Sequence, residues 1–361
     1  MTSKVRRSKI ALALALIFAL ALLTGCFDRR ELDTIAIVVG VGLDKGKEDK
    51  VRVTLQIVNV GAGEESDPQS ASATASSFIT ISGEGPAVNY AIWRMESTVS
   101  RGIYLAHNNI IVIGEELAKE GVAEALDFFV RASEARMTVS ILVAEGEARE
   151  LLSAKTANFE QLPSVEIQTL ARDQKITSTA PIVSEIDFVT SIIGQAGDAF
   201  APLIRVEEGE EGQLYRIAGT AVFQSDKMVG KLNEDETQGM LHIQNRYKQG
   251  VVFVTVEDTP ATIEIDEAQT QLRPEVFTDG TICMHMKVNI TAGLGDQGSG
   301  VNLFTPDNME KVKTAVADAV RQQIDMAVEK AREYKADTVG FGQKLSRYYP
   351  NQWKDLEGQW E

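Results

Sequence analysis

The 361-residue sequence has few of the side chains from which catalytic and metal sites are commonly built. It contains only three histidines, His107, His242 and His285, and none of them is spaced with another ligand as a zinc site requires. Its two cysteines, Cys26 and Cys283, lie far apart in the chain, which excludes a disulfide framework. A G-x-S-x-G elbow and a P-loop are also absent. We therefore expect a protein that is not an enzyme and has no metal, catalytic or cofactor-binding residues.

Basic residues are in deficit, with 36 Lys and Arg against 52 Asp and Glu and a net charge of -16. The first 25 residues hold four basic and no acidic groups, so their removal would change the net charge to -20. Such a surface repels phosphate backbones, which argues against nucleic acid as a partner.

Apolar runs long enough to span a bilayer are missing too. The longest, residues 10–23, has 14 residues, whereas a spanning helix needs about 20. It follows a basic start and precedes Leu23-Thr24-Gly25-Cys26, and these three parts are typical of a secretory signal. The last four residues match the lipobox, in which the Cys thiol receives a diacylglycerol and the chain is cut just before it. We predict that residues 1–25 are removed and that lipidated Cys26 anchors the chain to a membrane.

The remaining 336 residues are too many for one core, so we expect two or three domains. Strand patterns at residues 34–43 and 51–60 predict a hairpin, and strand patterns at 109–114 and 138–143 alternate with helical ones. The pattern breaks at Gly194-Gln195-Ala196-Gly197. We therefore predict an N-terminal α+β domain at residues 26–196 and a C-terminal α+β domain at residues 197–361, which could divide again near 265–275.

The second half has a strand-rich pattern followed by one long helical one. Strands are predicted at residues 214–223, 228–232, 251–256, 261–265 and 281–290. Thr305-Pro306-Asp307 is a strong helix start, and apolar residues then recur on one face as far as Ala331. The predicted fold class is α+β, with mixed and antiparallel sheets covered by helices and a long C-terminal amphipathic helix.

Three local patterns receive ordinary structural interpretations. Residues 293–298 match G-x-G-x-x-G but do not open a helix, so we interpret them as a flexible loop. The acidic run at 207–212 lacks the ligand spacing of a calcium loop and is interpreted as a solvated turn. Cys283 lies between Ile282 and Met284 and is predicted to be a buried free thiol.

Charged residues directly after Cys26 carry a family resemblance. The stretch Gly25-Cys26-Phe27-Asp28-Arg29-Arg30-Glu31-Leu32 resembles the start of the Ger(x)C lipoprotein family, the C subunits of spore nutrient-germinant receptors. Further segments resemble the family in the same order, at residues 35–45, 107–109 with 113–118, 126–131, 219–223 with 229–232, 236–241, and 336–342 with Tyr349, Pro350 and Trp353. Phe27 stands where the family usually has Trp. The sequence ends at Glu361, where similar proteins usually continue into a closing strand, which raises the question of whether it is complete.

The resemblance implies a non-enzymatic subunit that works with two integral-membrane partners, the A and B subunits, on the outer face of the spore inner membrane. It also implies three α+β domains of unusual topology. The charged residues Asp28, Arg29, Arg30 and Glu31, next to the anchor, are predicted to contact these partners. In this family the nutrient is thought to be recognised mainly by the membrane subunits, so no ligand-binding residues are transferred to this chain.

Two other functions remain open from the residues alone. A substrate-binding lipoprotein of a transporter would have two similar α/β lobes around a cleft, which the antiparallel second half does not suggest. An envelope hydrolase would need a pair of carboxylates or a metal in a cleft, and such a pair can be assigned only once the fold is known.

Overall fold

The computed structural model describes residues 34–360, except 49, 60–75, 133–135, 137, 156–159, 195–196 and 211. The strands are β1 (Ile35–Lys45), β2 (Val51–Val58), β3 (Phe78–Gly85), β4 (Gly102–Tyr104), β5 (Ile110–Ile113), β6 (Ser140–Ala144), β7 (Phe200–Gly209), β8 (Gly212–Gln224), β9 (Lys227–Leu232), β10 (Gly250–Val256), β11 (Thr259–Val276) and β12 (Ile282–Gln297). The helices are α1 (Val88–Glu96), α2 (Glu115–Glu120), α3 (Ala123–Arg131), α4 (Ala148–Ser153), α5 (Pro163–Thr177), α6 (Glu185–Ile193), α7 (Glu234–Ile243), α8 (Pro306–Tyr334), α9 (Phe341–Tyr348) and α10 (Pro350–Leu356).

The first nine strands form one mixed sheet. Its order is β3-β2-β1-β5-β6-β7-β8-β9, and β4 pairs separately with β1. The predicted β1–β2 hairpin is antiparallel, with Val41 opposite Leu55. In contrast, β1, β5, β6 and β7 pair in parallel, and β7, β8 and β9 pair antiparallel again. The predicted mixed sheet covered by helices is confirmed.

Strand β5 lies near the centre of this sheet, and all four of its residues are buried. Because strand side chains alternate between faces, Ile111 and Ile113 join one core and Ile110 and Val112 join another. The first core lies under α1, α3 and α6, and the second lies under α4 and α5. The continuous apolar pattern of this strand therefore reflects burial on both faces.

The second sheet is antiparallel and has the order β10-β11-β12. Helix α8 packs on it through a buried stripe of apolar residues at helical spacing, Val312, Val316, Val320, Ile324 and Ala327. The predicted start of α8 is confirmed, because the Thr305 hydroxyl accepts a hydrogen bond from the Asn308 N–H and Pro306 occupies the first turn.

The large sheet crosses the predicted domain boundary at residues 196 and 197. Strand β6 pairs with β7, with Val143 opposite Leu203, so the large sheet continues from residues before 196 to residues after 197. The second division, suggested near residues 265–275, falls inside β11. The division into domains stays a prediction.

Three local interpretations need correction. Residues 293–297 are not a flexible loop, because they belong to β12 and pair with β11, with Gly293 opposite Glu264. The acidic run is only partly a turn, since β7 continues to Gly209 and pairs there with Gly212. Cys283 is a free thiol as predicted, but it is half-buried because β12 is the last strand of its sheet.

Candidate functional site

The residues predicted to carry function all lie outside the described residues. These are the lipidation residue Cys26 and the predicted partner contacts Asp28, Arg29, Arg30 and Glu31. Lipidation and partner contact therefore stay predictions. The described chain starts at Thr34, directly before β1. Among the described residues, no helix is both long and apolar enough to cross a membrane.

Two partly buried aspartates, Asp198 and Asp337, form a joint between segments that lie far apart in the chain. Asp198 precedes β7, and Asp337 lies between α8 and α9. The Asp337 backbone N–H donates to Asp198 Oδ2 at 2.7 Å, and the Ser225 N–H donates to Asp198 Oδ1 at 3.4 Å. The Asp198 N–H donates in turn to the Asp337 carbonyl oxygen at 3.4 Å. Two reciprocal hydrogen bonds thus fasten the C-terminal segment to the large sheet.

The Asp337 side chain organises the start of α9. Its Oδ1 accepts from the Phe341 N–H at 2.8 Å, and its Oδ2 accepts from the Gly342 N–H at 2.6 Å. Gly340 has φ +75°, a left-handed conformation that favours glycine. A Cβ at Gly342 would lie 2.7 Å from the Trp353 ring. Both glycines therefore occupy positions where a side chain would be strained or would clash.

Burial raises the pKa of Asp337 to about 6, against the opposing effect of its hydrogen bonds to backbone N–H groups. The neighbouring Asp198 carboxyl raises it further. The joint therefore contains an acid that changes charge near neutral pH.

A cleft of about 350 Å³ adjoins the joint. Its walls come from α6, from the residues after α7 and from α9, and charges of both signs line it: Asp187, Asp198, Arg246, Asp337 and Lys344. Arg246 lies 5.5 Å over the Phe200 ring. No nucleophile with an adjacent base lines the cleft, and no group of three His, Cys, Asp or Glu within the described parts of the chain could hold a metal. The charges of both signs make this cleft polar.

Ion pairs connect strand β9 to residues beside earlier strands of the large sheet. Lys231 Nζ in β9 lies 3.0 Å from Glu115 Oε2 and 3.2 Å from Glu145 Oε1. Arg205 extends the set, with 3.1 Å between its Nη1 and Glu145 Oε2. Because these side chains are partly exposed, each pair contributes on the order of 1 kcal/mol or less. The network therefore contributes only modestly to the stability of the fold.

His107 follows β4, His242 lies in α7 and His285 lies in β12. His242 is fully buried and stacks on Tyr247, with ring centroids 4.0 Å apart. Burial lowers the pKa of His242 to about 4.

Glu185 is a buried acid at the first turn of α6, and burial raises its pKa from 4.5 to about 7. A raised pKa means that the fold disfavours the charged form, so the stability from this group is full below pH 4.5 and falls as pH rises to 7. We expect Glu185→Gln to stabilise the chain relative to the native protein by about 1–3 kcal/mol more at pH 8 than at pH 4.5. Urea midpoints at both pH values measure this.

The exposed Glu124→Gln is the matched control and should shift both midpoints equally. His242 makes the stability change with pH in the opposite direction, because its pKa is lowered. This residue is present in both the native chain and Glu185→Gln, so its contribution cancels when their stabilities are subtracted. A Glu185→Gln effect that is the same at both pH values contradicts the prediction.

Two family models match the chain on either side of the joint. The spore germination protein N-terminal domain matches residues 28–206, and the spore germination B3/GerAC like C-terminal domain matches residues 218–361. The chain belongs to the GerAC-like family of spore germination proteins. Asp198 lies in the N-terminal family domain and Asp337 in the C-terminal one, so the joint fastens the two domains of a GerAC-like protein together. The resemblance found in the sequence is confirmed.

Similar proteins cover nearly all of the GerAC-like chain. Spore germination protein YndF of Bacillus subtilis (strain 168) is 24% identical over 100% of this chain and 94% of its own length. Spore germination protein KC of the same organism is 25% identical over 98% and 91%. Spore germination protein B3, also of that organism, is 25% identical over 95% and 91%. These relatives give no support to the transporter alternative.

A solved structure supports the fold. The crystal structure of the GerBC protein aligns with a TM-score of 0.55 over 92% of this chain and 94% of that chain, at 19% identity. At that identity the likeness concerns the fold alone.

The sequence did not identify the joint or the ion-pair network. Asp198 and Asp337 are separated by 139 positions, and neither lies in a motif that marks a site. The signal that could have found Asp337 is its position two residues before Val339-Gly340-Phe341-Gly342, since an acid before a helix start often caps it.

Proposed function

We propose that this GerAC-like protein is the lipid-anchored C subunit of a spore nutrient-germinant receptor. It is held by Cys26 on the outer face of the spore inner membrane and docks on the A and B membrane subunits to support nutrient-triggered germination. It performs no reaction itself.

The observation that carries the proposal is the match of both GerAC-like domains from residue 28 to residue 361, directly after a lipobox that ends at Cys26. Two buried acyl chains hold a protein firmly, because each buried methylene contributes about 0.8 kcal/mol. Docking is supported by the charged residues Asp28, Arg29, Arg30 and Glu31, which would lie beside the anchor, within reach of membrane-embedded partners. The mixed nine-stranded sheet and the separate three-stranded sheet do not form the two similar lobes of a transporter's binding protein.

The test is Cys26→Ala, made in the sporulating host. Without the diacylglycerol, we expect the protein to move from the membrane fraction to the soluble fraction, with at least a tenfold loss from the membrane (about 1.4 kcal/mol or more), and nutrient-triggered germination to slow. Fractionation of spores and labelling with radioactive palmitate measure the first effect, and loss of optical density after nutrient addition measures the second.

Cys283→Ala is the matched control, because Cys283 is the other of the two cysteines and lies in β12, far along the chain from the lipobox. It should keep both label and membrane retention. Undiminished label and retention in Cys26→Ala contradict the anchor, and an unchanged germination response contradicts the receptor role.

A further inference from the structure

Helix α1 presents two aromatic side chains to solvent. Its buried face is formed by Val88, Ala91, Ile92 and Met95, which pack against the large sheet. On the opposite face Tyr90 is 46% exposed and Trp93 is 66% exposed, with ring centroids 6.2 Å apart. Arg94 is exposed beside them. The exposed stripe Tyr90, Trp93 and Arg94 combines rings with a polar tip and a cation, the side chains enriched at membrane–water interfaces.

The stripe begins at Tyr90, which lies beside Gly85 at the end of β3, and continues toward the C-terminal end of α1. The helix ends at Glu96, and β4 begins at Gly102 and pairs in parallel with the first residues of β1, with Ile35 opposite Gly102. Helix α1 also contacts β4, so its C-terminal end lies near the start of β1. Ile79, which is 47% exposed, belongs to the same edge as the start of β1, because β3 and β1 both run antiparallel to β2.

The distance between this edge and a lipid anchor is limited by the chain. Eight residues lead from Cys26 to Thr34, and eight residues span at most about 29 Å even when fully extended. This step depends on the proposed anchor at Cys26. With the anchor in the bilayer, the edge that contains the start of β1 must stay close to the membrane surface.

The charge of the region around α1 is compatible with a position next to the membrane. The whole chain carries a net charge of -16, and acidic surfaces are repelled by anionic headgroups within about 8 Å at physiological salt. Between Gly85 and Tyr104, however, the sequence has two arginines, Arg94 and Arg101, and one acid, Glu96. The region around α1 therefore does not share the acidity that would push other surfaces away from the lipid.

We propose that the exposed stripe of α1 rests in the headgroup region of the phospholipid bilayer that carries the anchor. The rings of Tyr90 and Trp93 lie at the level where acyl chains meet headgroups, and the Arg94 guanidinium pairs with lipid phosphate. The contact gives the anchored protein one orientation on the membrane, with the start of β1 and the end of α1 toward the lipid.

The test uses the lipidated chain from Cys26 onward on vesicles of phosphatidylcholine with a minority of phosphatidylglycerol. In parallel vesicles the acyl chains carry bromine, which quenches nearby tryptophan. We expect brominated lipid to remove the part of the emission that belongs to Trp93, and the lost component to be blue-shifted. In Trp93→Phe this lipid-dependent loss should disappear, leaving Trp353, which is buried, and Trp360, which packs edge-on against it.

A second measurement uses the chain without its lipid, as Cys26→Ser. Its residual binding to the same vesicles should fall about tenfold or more when Tyr90→Ser and Trp93→Ser are combined. Phe253→Ser is the matched control and should leave binding unchanged, because Phe253 is a similarly exposed aromatic (68%) in the other sheet.

Any of three results overturns the inference. The first is that brominated lipid quenches the native and Trp93→Phe chains equally, and the second is that Phe253→Ser weakens vesicle binding as much as the combined Tyr90→Ser and Trp93→Ser changes. The third is that brominated lipid does not quench Trp93 while position 93 photocrosslinks to a membrane protein in spores. Release of the Cys26→Ala chain from spore membranes together with unquenched Trp93 rejects the stripe and keeps the anchor. Retention of that chain even after Tyr90→Ser and Trp93→Ser are added rejects the anchor instead.

Discussion

Gly239→Ala is expected to destabilise the folded chain by about 3–5 kcal/mol, at the upper end of overpacking effects. Gly239 lies in α7, which is wedged between β8 and α8. A Cβ added there would overlap the backbone carbonyl oxygen of Gln323 in α8 and approach the Ile324 nitrogen to 2.9 Å. Because those atoms are helix backbone and not a flexible side chain, the two helices must separate. Urea denaturation of the chain without residues 1–25 measures the loss.

The sign of this effect tests the close packing. In a helix interior without such contact, alanine is more favourable than glycine by about 1 kcal/mol, so stabilisation would contradict the close approach of α7 and α8. Gly293→Ala in β12 is the matched control, since no atom lies within 4 Å of its added Cβ. That variant should stay within about 0.5 kcal/mol of the native chain.

Elements with a strong local period were predictable from the sequence. The β1–β2 hairpin follows from alternating apolar residues on either side of a charged turn. Helix α8 follows from its cap at Thr305 and from an apolar stripe that continues over about six turns of helix. In both cases neighbours in sequence determine which face is buried, so no knowledge of distant contacts is needed.

Residues 293–297, which were predicted to be a loop, show a limit of prediction from local sequence. Glycines at 293, 295 and 298 suggested a loop, because glycine weakens a strand in isolation. The pairing of β12 with β11 supplies the hydrogen bonds that hold these residues extended. Such support comes from residues about 30 positions earlier, and the local pattern does not reveal it.

Buried polar contacts were the least predictable part of the molecule. Asp44 at the end of β1 accepts hydrogen bonds from the Ala148 N–H at 2.7 Å and the Arg149 N–H at 3.0 Å, and so caps α4 across 104 positions of sequence. Asp198 and Asp337 meet across 139 positions. Acids are common in this chain, and only the fold decides which few of them become buried caps.

The domain joint gives the second large effect. Asp337→Ala removes the acceptor of two backbone N–H groups at the start of α9, which are then left partly buried without their partners. Each such group costs about 1–3 kcal/mol, so we expect a loss of about 2–4 kcal/mol at pH 4. The loss should concentrate in the segment from Ala336 to the last helices. Hydrogen exchange of the backbone amides of α9 and α10 measures it locally, and urea midpoints measure it globally.

The pH dependence separates this effect from a generic loss of packing. Because the pKa of Asp337 is raised from 3.8 to about 6, its contribution is full below pH 3.8 and declines as pH rises to 6, where the buried carboxyl becomes charged. The loss of unfolding free energy in Asp337→Ala should therefore be larger at pH 4 than at pH 7.5. The difference between the two pH values is at most about 3 kcal/mol, and it is smaller because water reaches the half-buried carboxyl. Asp325→Ala, at an exposed position on α8, is the control and should show no such trend. A deficit that grows with pH would mean that the charged carboxylate, and not the neutral acid, holds the start of α9 in place.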